Sequence, residues 1–124
     1  MQIPTICLLA DDLAENVEAM RRSAFISAFT RLRHIFCHTL LLVQKAKVLA
    51  PIIRTNVTHW LIWRLRSEEE KKMMLQDISG HYGYALTEDI YELCTREPYS
   101  FMYYNGMASP PEFYCRFEFK VVVT

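Results

Sequence analysis

Phe113-Tyr114-Cys115-Arg116-Phe117-Glu118-Phe119-Lys120-Val121-Val122-Val123 alternates Phe113, Cys115, Phe117, Phe119, Val121 and Val123 with Tyr114, Arg116, Glu118 and Lys120. A period of two sends the first set to one face of an extended chain, and predicts a half-buried strand. Just upstream, Ser100–Tyr104 is rich in strand-forming residues and leads into Asn105-Gly106, a tight-turn signal lengthened by Ala108-Ser109-Pro110-Pro111. Further upstream the apolar period lengthens towards that of a helix. Asp11 or Asp12 caps a helix with Glu15 in its first turn, and no Gly or Pro interrupts it before Pro51. Over about residues 12–49, Phe25, Phe29, Leu32, Phe36, Leu40 and Val43 then share one face.

Pro51 suits the first turn of a second helix carrying Val57, Trp60, Leu61, Trp63 and Leu65. Ser67-Glu68-Glu69-Glu70 reads as a capping box that opens a third helix, stopped near Ile78 by Gly80. Thr87-Glu88-Asp89 opens a fourth that Pro98 must end. Residues 3–9 are expected to form a short strand, with Pro4 suited to its first position. The expected architecture is a single α+β domain over residues 1–124. A layer of three to four helices, about residues 11–96, covers a small antiparallel sheet of the C-terminal strands, with the N-terminal strand a candidate to close it.

At 124 residues, 52 % hydrophobic and with three glycines, the chain has more apolar surface than a small monomer easily hides. A homo-oligomer or a partner-covered face is expected. Residues 3–10 are too short and too soon followed by Asp11 and Asp12 to act as a secretory signal, and no apolar run is long enough to span a bilayer. Cys7, Cys37, Cys94 and Cys115 form no CxxC pair, so they read as reduced, buried thiols of an intracellular protein, cytoplasmic or nuclear. Little Gly and a dense load of Met, Cys, Tyr and Phe are also compatible with a compact viral accessory protein.

A balanced total charge hides a basic centre. Residues 19–67 hold Arg21, Arg22, Arg31, Arg33, Lys45, Lys47, Arg54, Arg64 and Arg66 with no Asp or Glu, and acids on both sides cancel them. On the expected long helix, Arg31, His34, His38 and Lys45 form a basic stripe, with Arg33 on its shoulder and Arg64 and Arg66 beyond Trp60 and Trp63. Cations held on one face release phosphate counterions together, so RNA or DNA backbone is the expected partner, with an acidic protein as the other possibility. The rival surface is the aromatic C-terminus, where Tyr104, Tyr114 and Arg116 have the composition of a protein interface and would make the chain an interaction adaptor.

Chemistry has less to stand on. His34, Cys37 and His38 fall on one helical face, with His34 and His38 at HxxxH spacing, but no CxxC arm pairs with them to complete a zinc site. No nucleophile elbow or phosphate-cradling glycine loop is present. A non-enzymatic protein without metal, cofactor or small-molecule substrate is therefore expected. If the basic stripe binds duplex backbone, affinity falls steeply from low to moderate salt and Arg31→Glu with Lys45→Glu abolishes it, which anisotropy titrations at two ionic strengths measure.

Overall fold

A computed structural model describes residues 5–11, 18, 22–31 and 37–124. The architecture is α+β, and the chain divides into two compact units, residues 1–56 and 57–124.

In the first unit, β1 (Ile6–Asp11) pairs in parallel with β2 (Cys37–Leu42), Ile6 opposite Cys37 and Asp11 opposite Leu42. Between them lies helix α1 (Ser23–Arg31). After β2 come a single 3-10 turn (Ala46–Val48) and helix α2 (Pro51–Asn56), which packs on α1. Ala46, Leu49 and Ile53 are the buried anchors here, and the Arg54 guanidinium donates to the Leu49 carbonyl at 3.1 Å.

Two expectations are corrected by this unit. The uninterrupted helix over residues 12–49 does not form, because Cys37–Leu42 is a strand in which Cys37 is buried while His38, Leu40 and Leu42 are exposed. A short apolar run fits a period of 3.6 and a period of two almost equally well, and pairing with β1 decides for the strand. The N-terminal strand joins β2 and not the C-terminal sheet.

The second unit is a four-stranded antiparallel sheet in the order β3 (His59–Trp63), β4 (Phe101–Asn105), β5 (Glu112–Cys115), β6 (Phe119–Lys120). Helices α3 (Glu68–Ile78) and α4 (Tyr84–Cys94) are inserted between β3 and β4, and α4 packs on α3, β4 and β5. Met74, Leu75, Ile78, Ile90, Tyr91, Ile62, Met102 and Phe113 form its core.

Pro51 does open a helix, but that helix stops at Asn56, whose side-chain amide donates to the Ile52 carbonyl. The following Val57-Thr58-His59-Trp60-Leu61-Ile62-Trp63 is rich in β-branched and aromatic residues, and its His59–Trp63 part forms strand β3 in place of the expected helical continuation. The Ser67 hydroxyl caps α3 by accepting from the Glu70 amide, and the helix ends at Ile78 as the capping box and Gly80 imply. Helix α4 starts three residues before Thr87, behind Gly83 at φ 85°, and the buried Thr87 hydroxyl donates back to the Gly83 carbonyl. Gly106 is required by close approach: its amide donates to the Thr58 carbonyl, and an added Cβ would lie 2.9 Å from that same oxygen.

The Lys71 ammonium, on a residue only 8 % exposed, ties the two helices together. It lies 2.7 Å from Glu92, 3.0 Å from Glu88 and 3.8 Å from Glu68, and sits over the Tyr91 ring. The Glu92 and Glu88 hydrogen bonds hold Lys71 protonated well above the usual lysine range, and Lys71 holds the Glu92 carboxyl below the usual carboxylate range. A raised lysine pKa contributes stability below about 10.4, and a lowered carboxyl pKa contributes above about 4.3, so the cluster is fully effective between those values. Glu88 and Glu92 are partly exposed, which limits the net effect. Lys71→Met is expected to lower stability by about 1–2 kcal/mol at neutral pH, and by less below the carboxylate range, in urea titrations at several pH values.

Candidate functional site

Because alternate residues of a strand face opposite ways, the register of the second unit assigns each side chain to a face. Ile62, Met102 and Phe113 are buried on the side where α4 packs. Leu61 lies opposite Tyr103, Trp63 opposite Phe101, and Tyr103 opposite Tyr114, all on the other side.

Among the described residues of this unit, neither helix packs on that second face, and its rings form a continuous ladder. Trp63 and Phe101 are 4.9 Å apart between centroids, Phe101 and Phe117 5.1 Å, Phe117 and Tyr103 5.4 Å, and Tyr103 and Tyr114 5.4 Å. His59 stacks on Tyr103 at 5.9 Å. Trp63 is 48 % and Phe117 63 % exposed, large values for aromatic side chains that touch one another. Edge-to-face and offset pairs of this kind add stability beyond the area they bury, so the ladder is pre-assembled before any partner arrives.

The hydroxyl tips of the ladder are already engaged. His59 Nδ1 and the Tyr103 hydroxyl are 2.9 Å apart, and the Tyr114 hydroxyl donates to Glu112 at 2.7 Å. Lys120 closes on the other Glu112 oxygen. Lys120, followed by Tyr114, draws the Glu112 carboxyl below its usual range, and the same hydrogen bonds raise the Tyr114 and Lys120 pKa values. Ring surface is what remains on offer.

Phe117 reaches this face through a break in the C-terminal alternation. The expected single strand over residues 113–123 is a hairpin instead: β5 ends at Cys115, Arg116 adopts φ 56°, and pairing resumes at Phe119 opposite Cys115. The Arg116 amide donates to the Phe101 carbonyl at 2.8 Å, and the turn swings Phe117 away from the Phe113 side and over Phe101 and Tyr103.

Of the expected interface residues, only Tyr114 lies in the ladder. Tyr104 is on the helix side, its ring 5.2 Å from that of Phe113, and burial raises its hydroxyl pKa. Arg116 is exposed at the hairpin turn with its guanidinium over the Phe119 ring. Reading β3 as helix concealed Trp63, and the unbroken alternation concealed Phe117. The alternation of Phe101, Tyr103 and Asn105 in the β4 run is the one local signal that marks part of this face.

The basic residues are scattered over different elements. Arg31 ends α1, His38 is in β2, Lys45 precedes the 3-10 turn, and Arg64 and Arg66 follow β3; all five are exposed. Arg64 is 3.6 Å from Glu92. Arg33 and His34 lie outside the described residues. The helical stripe that would align Arg31, His38 and Lys45 therefore does not exist.

The cysteines also depart from expectation. Cys94 and Cys115 are joined as a disulfide with Cα atoms 4.6 Å apart, Cys7 is exposed, and only Cys37 is a buried free thiol. Among the described residues, no cluster of three His, Cys, Asp or Glu side chains could hold a metal ion, and no helix is long and apolar enough to cross a membrane. A shallow recess at the ends of β1 and β2 is lined by Asp11, Leu42, Val43 and Gln44, with a single carboxylate and no second titratable group.

No known protein family, curated protein or solved structure matches the chain.

The left-handed conformation of Arg116 costs an L side chain about 1 kcal/mol, which glycine escapes. Arg116→Gly is expected to retain or raise the melting temperature and Arg116→Val to lower it, as read by thermal circular dichroism.

Proposed function

We propose that this chain is a non-enzymatic, intracellular binding protein that captures an apolar, arginine-bearing segment of a protein partner on the open aromatic face of its four-stranded sheet. The ring ladder from Trp63 to Tyr114 is the observation that supports this reading. Interface centres are enriched in Tyr, Trp, Phe and Arg and depleted in Lys and Glu, and rigid aromatic anchors lose little entropy on binding.

Charge narrows the partner. Residues 57–124 contain ten Asp/Glu and seven Lys/Arg, a net of −3. That balance repels a phosphate backbone and favours a basic protein segment, and it disfavours a second copy of the same acidic unit. Guanidinium groups stack on aromatic faces, which matches a surface whose hydroxyls are already paired. Binding of nucleic-acid backbone has less support, since Arg31, His38, Lys45, Arg64 and Arg66 share no helix or strand.

Peptides selected from a random display library on the full chain should be enriched in Arg among apolar residues. Trp63→Ala and Phe117→Ala should each weaken them by about 2 kcal/mol, roughly thirty-fold, while Leu93→Ser on α4 leaves binding unchanged by calorimetry. Selected peptides indifferent to both ladder variants, or a single-stranded oligonucleotide whose binding Trp63→Ala abolishes, would overturn the assignment.

A further inference from the structure

We propose that the Cys94–Cys115 bond is a redox switch that sets the affinity of the aromatic ladder for its partner; this rests on the function proposed above. The bond and the ladder share one short segment. In Tyr114-Cys115-Arg116-Phe117, Tyr114 and Phe117 supply two ladder rings while Cys115, between them, is bonded to Cys94 at the end of α4. Cys115 is paired with Met102, which is fully buried, so its side chain belongs to the helix side while both rings belong to the open side.

The outer sheet has few other fasteners. β6 is two residues long, and beyond the β4–β5 pairing the hairpin is held by the Arg116 and Val121 amide hydrogen bonds and the Lys120–Glu112 pair. By contrast, Trp63 and Phe101 ride on β3 and β4, whose pairing runs the full five residues. Loss of the covalent tie therefore acts on Tyr114 and Phe117 first and leaves Trp63–Phe101 in place.

Chemically the step is thiol–disulfide exchange with a dithiol. One reductant thiolate attacks a sulfur of the pair to form a mixed disulfide, and the second displaces the protein thiol. The protein gains two electrons and two protons as Cys94 and Cys115 thiols, and the dithiol leaves as its disulfide. Cys7 and Cys37 take no part in the exchange.

The test uses the full chain with and without dithiothreitol, and the selected arginine-bearing peptide as probe. Denatured oxidised protein should show two titratable thiols and reduced protein four. Reduction should preserve the far-ultraviolet circular dichroism, change the near-ultraviolet aromatic signal, and speed amide exchange across residues 112–121. Peptide affinity should fall at least ten-fold, and Cys7→Ser should still switch. Cys94→Ser with Cys115→Ser should match the reduced form in far- and near-ultraviolet circular dichroism, amide exchange and peptide affinity. Four thiols in the untreated protein would overturn the switch, as would global unfolding on reduction or unchanged exchange at residues 112–121. The spectroscopic and exchange readouts need no peptide, so they judge the switch separately from the binding reading, which Trp63→Ala judges in the oxidised protein.

Discussion

Burial of Ile62, Met102 and Phe113 on one side of the four-stranded sheet is the constraint on which the rest of the second unit depends. Three neighbouring strands each commit a side chain to the core beneath α4, and the period of two then leaves no freedom for the residues between them. Trp63, Phe101, Tyr103 and Tyr114 are turned outward because their neighbours are turned inward. A slip of one residue in the β3–β4 register would bring Trp63 onto the face of Met102 and turn Ile62 to the face of Tyr103. The exposed ladder and the core are thus two faces of a single packing decision.

The helices are held to that sheet by a small number of strong contacts. Lys71 neutralises carboxylates from both α3 and α4, which would otherwise repel each other across the helix pair. At the end of β3, the Tyr91 hydroxyl accepts from the Leu65 amide at 2.7 Å, a backbone donor that no strand partner satisfies. The Cys94–Cys115 bond fastens the far end of α4 to β5. The ties from Lys71 to α4, from Tyr91 to Leu65 and from Cys94 to Cys115 join residues seventeen or more positions apart, so each acts only once the layers have come together.

The legible parts of the fold are those with local causes. Ser67 before three glutamates starts a helix because its hydroxyl can reach the Glu70 amide whatever the rest of the chain does. Pro51 at a helix start and the ending of α4 before Pro98 follow from backbone chemistry in the same way. The α+β class was legible too, from the change of period near the C-terminus. Cys37–Leu42 and His59–Trp63 were misread because their apolar residues fit helix and strand alike, and only a partner strand distinguishes them. The aromatic face was legible at Tyr114 but not at Trp63 or Phe117, whose positions come from register and from the Arg116 turn.

By itself, then, the amino-acid order determined the caps, the stops, the strand-forming C-terminus and the clustering of cations in the middle of the chain. Tertiary structure alone decided which strands pair, which rings meet and which cations stand together. The division has a physical reason: hydrogen bonds and steric limits within a few residues are complete in the local sequence, whereas strand pairing and ring contact depend on residues far apart in the chain, such as Trp63 and Phe101, being brought to 4.9 Å between ring centroids.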